Sequence, residues 1–113
     1  MIAKLELELA CNEELAYQMS SLFHGVLMEL LPKEYADELH YSKLHPYTQH
    51  LECRGKTWYW IITALNKQAV DIILKNALWN LEKIELKKKQ IVINIIGKQY
   101  IEMPYKQLME HFY

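Results

Sequence analysis

The amino-acid sequence predicts an α+β fold, a four-stranded antiparallel sheet with two helices packed on one face. Three observations lead there. Hydrophobic periodicity switches along the chain between the two-residue repeat of a strand and the three-to-four-residue repeat of a helix, in the order strand, helix, strand, strand, helix, strand. Pro32, Pro46, Gly55 and Pro104 fall between those segments, where turn chemistry belongs. Half of the 113 residues are hydrophobic (51%), enough to bury one core, so a single domain spanning residues 1–113 is expected. No internal repeat or low-complexity linker interrupts it.

The first strand is "IAKLELEL" (Ile2 to Leu9), with Leu5, Leu7 and Leu9 on one side and Lys4, Glu6 and Glu8 on the other. Asn12 is the expected N-cap of the first helix, and Glu13 and Glu14 fall in the first turn, where the helix dipole favours acids. Leu15, Met19, Leu22, Phe23, Val26, Leu27 and Leu30 form one apolar face, and Pro32 ends the run. A short second helix is expected from about Lys33 to His40. Tyr47 to Cys53 reads as a strand, "RGK" as a tight turn and "TWYWIITAL" (Thr57 to Leu65) as the most β-prone segment, which makes a hairpin. Asn66 caps another amphipathic helix that buries Val70, Ile73, Leu74, Ala77 and Leu78. Alternating β structure resumes from Glu82 to about Ile101 around a lysine-rich break, and "PYKQLMEHF", with Pro104 in its first turn, fits a last short helix. This βαββαβ succession is the ferredoxin-like arrangement.

Net charge is only -1, but it is polarised. Residues 1–53 carry three Lys against nine Asp or Glu, net -6, and residues 54–113 carry ten Lys or Arg against five acids, net +5. Lys87, Lys88 and Lys89 are the densest basic cluster; they suit either phosphate contacts or a solvated hairpin tip that keeps a sheet edge soluble. Cys11 and Cys53, far apart, make neither a disulfide framework nor a metal knuckle and read as reduced apolar residues. There is no apolar run long enough to cross a bilayer and no signal-peptide pattern at the start, so no membrane contact and a cytoplasmic location are expected.

Five histidines supply most of the groups that titrate near neutral pH. "HYSKLHPYTQHL" holds His40, His45 and His50. On a helical wheel the first helix's apolar arc centres near Val26 and His24 lies roughly 130° or more away, so His24 is expected to face outward. Gly25 beside it costs about 1 kcal/mol relative to alanine in a helix interior, which predicts a close approach to its backbone by a helix or a ligand. A zinc site from His40, His45 and His50 is not expected, because a helix end, a proline turn and a strand do not converge by spacing. Trp58, Tyr59, Trp60 and Trp79 would stack on bases if exposed, although aromatics at such spacing more often belong to a core.

Phe23-His24-Gly25, Tyr35-Ala36, Leu39-His40 and His45-Pro46-Tyr47-Thr48-Gln49, in this order, resemble the amino-terminal part of the CRISPR-associated endoribonucleases of the sixth Cas family, which belong to the RAMP superfamily. Tyr105 to Met109, "YKQLM", is similar to the element that ends that family's first domain. The resemblance implies a ribonuclease that needs no metal or other cofactor and cuts CRISPR repeat RNA to release guide RNAs, by attack of a ribose 2′-hydroxyl on the adjacent phosphate. It places His24 and His40 at the family's active-site histidine positions, one as base and the other as acid or phosphate stabiliser. His45 stands where members look to carry a basic residue, so with Lys87, Lys88 and Lys89 it is a candidate RNA contact; His50 stands where they carry serine. The chain stops short of the family's usual second domain, which implies an amino-terminal half or a reduced relative. The partners implied are repeat RNA, a second RAMP-type domain or other Cas subunits. A non-catalytic RNA-binding or subunit-contacting module, and an unrelated protein that dimerises through its sheet, are the alternatives on the same fold.

Overall fold

A computed structural model of the chain describes residues 2–11, 14–41, 46–87 and 89–103 of the 113, Met103 by its backbone alone. β1 (Ile2–Ala10) is the middle strand of a five-stranded antiparallel sheet. Its partners are β2 (Tyr47–Arg54), β3 (Thr57–Ala64), β4 (Lys83–Leu86) and β5 (Ile91–Met103), in the order β2-β3-β1-β5-β4. Side chains of one phase meet across the strands, so Ala3, Leu5, Leu7 and Leu9 lie opposite Ala64, Ile62, Trp60 and Trp58 and form the sheet's buried face. Three helices contribute to the same core. They are α1 (Ser20–Leu30), entered through a 3₁₀ turn at Tyr17–Met19; α2 (Lys33–Tyr41); and α3, which starts at Lys67–Ala69 and widens into π-helical turns over Val70–Ala77.

Five strands replace the expected four, while the short helix expected from about Lys33 is present as α2. The strands β2-β3-β1-β5 keep the order of a βαββαβ sheet, while β4 is an added edge strand paired with β5 from Lys83 opposite Asn94 to Leu86 opposite Ile91. The lysine-rich break is the turn of that hairpin: Lys89 N donates to the Leu86 carbonyl at 3.1 Å, and Gln90 takes a φ of 54°. β5 also changes phase. Glu8 faces Gly97 but Leu9 faces Ile95, so Ile96 is an unpaired bulge residue and the helix-side positions move from Ile91, Ile93 and Ile95 to Lys98 and Tyr100. The Glu8 side chain covers Gly97, and a Cβ added there would lie 2.8 Å from its Oε2, the movable end of that side chain.

Local signals set the boundaries well. Leu31 leaves the helix with ψ 152° ahead of Pro32, Gly55 makes the β2–β3 turn with φ 66°, and the Asn66 side chain accepts the Ala69 N–H at 2.8 Å. The start of the first helix differs from expectation. Glu14 to Ala16 are not helical, and Met19 caps α1 without a side-chain hydrogen bond. Asn12, Glu13 and the last helix expected from Pro104 lie outside the described residues.

The inward arc of α1 is rotated as well. Leu15, Met19, Phe23, Leu27 and Leu31 are buried, whereas Leu22 and Val26 are half-buried and Leu30 is exposed. The arc therefore centres between Phe23 and Leu27, and His24 lies about 80° from that centre, on the flank of the helix. It does not point straight out.

Candidate functional site

α1 touches β2 on one side and β4 on the other. His24 belongs to the β2 side, where its Nε2 lies 2.6 Å from the hydroxyl of Tyr47 on β2. The two ring planes are 9° apart with centroids 6.1 Å apart. At that separation the parallel rings do not overlap face to face, and the pair meets through the hydroxyl and Nε2 at their edges.

The supports of this pair come from four elements, β2, β3, α1 and α2. Tyr47 stands opposite Ala64 in the inward phase of β2 and is 8% exposed. Gln49, in the same phase, donates from Nε2 to the carbonyl of Ser20 at 3.3 Å and accepts from the indole N–H of Trp60 at 2.9 Å, which fixes the start of α1 against the sheet. Phe23 meets Trp60 edge-on with centroids 5.3 Å apart, both fully buried. From α2, buried Tyr35 completes the surroundings, and its hydroxyl has no hydrogen-bond partner among the described residues. Burial pushes the Tyr35 phenol up, helped by Glu38 and Tyr47, and burial alone pushes the Tyr47 phenol up. Both therefore stay protonated at neutral pH.

The other predicted residues are dispersed. His40 is exposed in the last turn of α2, its ring edge-on to Tyr41 at 5.2 Å, and among the described residues no hydrogen bond or ring contact joins it to His24. His45 and Lys88 lie outside the described residues. His50 is exposed opposite Ile61, on the sheet face away from the helices. Lys87 and Lys89 are exposed at the β4–β5 turn, across α1 from His24. Between that turn and α1 runs a groove of about 300 Å³ lined by Leu22, Gly25, Val26 and Glu29 with Leu86 and Lys87. Gly25 opens onto it, and a Cβ there would meet nothing within 4 Å, so the expected close approach to its backbone is absent within the chain.

The aromatic residues divide between core and surface. Trp60 is core, Trp58 packs edge-on to the exposed Tyr17 at 4.9 Å, and Tyr59 lies under the Arg54 guanidinium at 4.7 Å. Trp79 is partly exposed, edge-on to Tyr100 at 5.6 Å with the Lys98 ammonium 5.1 Å from its ring centre. The Tyr100 hydroxyl, pushed up to about 12 by burial and then by its hydrogen bond to Glu102, stays protonated.

Sequence reasoning missed one charged cluster. Glu6, only 5% exposed, holds Arg54 Nη1 at 2.6 Å and Lys4 Nζ at 3.5 Å, and Arg54 also pairs with Glu52 at 2.6 Å. Burial alone would raise the Glu6 pKa, but the Arg54 hydrogen bond and the Lys4 charge outweigh it and hold the carboxyl below its ordinary value. Strand alternation marked Glu6 as polar-side, yet no local pattern links it to a turn arginine. Among the described residues no group of three or more His, Cys, Asp or Glu is placed to hold a metal ion, and no helix is long and apolar enough to cross a membrane.

The five-stranded sheet and the helices that share its core define an α+β domain. A solved structure described as a Cas6 (TTHB231) product complex matches this chain with a TM-score of 0.70 at 19% sequence identity, over 87% of this chain and 40% of that one. The chain thus carries a Cas6-like fold and spans well under half the length of that protein. No family model matches the chain, and no curated protein matches it.

Proposed function

We propose that this chain is the domain of a CRISPR repeat-RNA endoribonuclease that carries the cleavage chemistry. The observation that carries the reading is a Cas6-like fold in which one histidine is held at a fixed bearing, His24 against Tyr47, at the edge of the helix layer. In the proposed reaction the ribose 2′-oxygen attacks the adjacent phosphorus as its proton passes to a base, and the 5′-oxygen leaves with a proton from an acid, giving a 2′,3′-cyclic phosphate and a 5′-hydroxyl. His24 and His40 take the base and the acid or phosphate-stabilising roles, since imidazole serves both near neutral pH. His45, Lys87, Lys88 and Lys89 contact RNA phosphates. No metal or cofactor takes part. The partners are CRISPR repeat RNA, with a second RAMP-type domain, other Cas subunits or a second copy of the chain completing the assembly in the cytoplasm.

One observation favours a second reading, a non-catalytic RNA-binding or subunit-contacting module: among the described residues no hydrogen bond or ring contact joins His40 to His24. A cleavage assay on repeat RNA separates the two. Under the first reading the product ends in a cyclic phosphate, His24→Ala and His40→Ala each slow cleavage by about 10²-fold, EDTA has no effect and a 2′-deoxy nucleotide before the cut abolishes it. Parental rates in both alanine variants refute it.

A further inference from the structure

We infer that Tyr47 is the positioning residue of this site and that it commits His24 to exchange protons through Nδ1. The inference deepens the proposed function, resting on the reading of His24 as a catalytic histidine. A histidine on a helix flank can turn about two side-chain bonds and offer either nitrogen. Here the choice is made by a strand residue. Tyr47 belongs to β2, its side chain is buried in the inward phase opposite Ala64, and its hydroxyl reaches Nε2 at 2.6 Å with the two ring planes nearly parallel. Gln49 ties the same strand to Ser20, the first residue of α1, so the helix carrying His24 and the strand carrying Tyr47 are held in register with each other.

This geometry separates the two ring nitrogens by function. Nε2 faces protein and is already occupied by the phenol. Nδ1 has no hydrogen-bond partner among the described residues and is the nitrogen left to a substrate. If Nε2 keeps its proton and donates it to the phenol oxygen, Nδ1 carries a free lone pair in the neutral ring and an N–H in the imidazolium. The Nε2–H···O bond then survives both protonation states, and the ring does not have to reorient as a proton arrives or leaves. The opposite polarity, with the phenol donating to Nε2, would put the neutral ring's only proton on Nδ1 and leave no lone pair facing outward. The neutral phenol is suited to the accepting role, because it presents an oxygen without burying a second charge beside the imidazole.

The test uses the isotopically labelled chain and Tyr47→Phe, which removes one oxygen and keeps the packed ring. In the parent, ¹⁵N NMR of the neutral His24 ring should show a pyrrole-like Nε2, a pyridine-like Nδ1 and an Nε2–H proton protected from solvent exchange; in Tyr47→Phe that protection should vanish while the fold is retained. A pyridine-like Nε2 in the parent, or an equally protected proton in the variant, overturns the assignment. In the cleavage assay Tyr47→Phe should lower kcat about 10-fold with KM unchanged, and should add nothing in a His24→Ala background, because it acts through that ring. Equal losses in both backgrounds overturn the positioning role. If His24→Ala itself cleaves at the parental rate, the catalytic reading of His24 fails, and the NMR result still decides which nitrogen Tyr47 holds.

Discussion

Replacing Gly25 by alanine should stabilise this protein by about 1 kcal/mol, even though glycine in the middle of α1 read as a site of close packing. Three facts fix the magnitude. Gly25 lies inside the helical span Ser20–Leu30, it has no positive φ, and an added Cβ would meet nothing within 4 Å. No clash is therefore subtracted and little new packing is gained, so the effect reduces to helix propensity, most of it the larger backbone entropy that glycine keeps in the unfolded chain. At this chain length 1 kcal/mol corresponds to a rise in Tm of roughly 4 °C. Urea unfolding followed by circular dichroism should show a higher midpoint with an unchanged slope, since the surface exposed on unfolding does not change. A lowered midpoint would refute the reasoning and mean that something does press on the backbone at Gly25.

Two further perturbations probe the charged features. Glu6 has a folded-state pKa below its unfolded value, so its contribution is fully present above the ordinary carboxylate range and is lost as pH falls through the depressed folded value. Glu6→Gln should accordingly lower stability at neutral pH and flatten the acid limb of stability against pH, and an acid limb of unchanged slope would show that the Arg54 and Lys4 contacts do not act on folding. Changing Lys87, Lys88 and Lys89 together to alanine should weaken RNA binding and reduce its salt dependence by up to about three charges, measured by mobility shift at several ionic strengths; an unchanged salt slope would leave the turn a solvated tip.

What the sequence determined by itself is what neighbours along the chain can decide. Leucine alternation made β1, Pro32 stopped α1, Gly55 supplied the positive φ of the hairpin and Asn66 capped α3, each through backbone sterics or a hydrogen bond spanning a few residues. The tertiary structure decided whatever depends on register between distant segments. The slip at Glu8 and Leu9 changed the phase of β5 and set Lys98 and Tyr100 on the helix side of the sheet, a shift that alternation cannot reveal because the unpaired Ile96 is apolar like its neighbours. Packing of Phe23 on Trp60 turned α1 so that His24 met Tyr47 and did not face straight into solvent; a wheel that weighs every apolar residue equally placed the arc at Val26, which only half-covers its side chain. Glu6 is paired with Arg54, the last residue of β2, and such pairing is settled by where strands lie in the sheet.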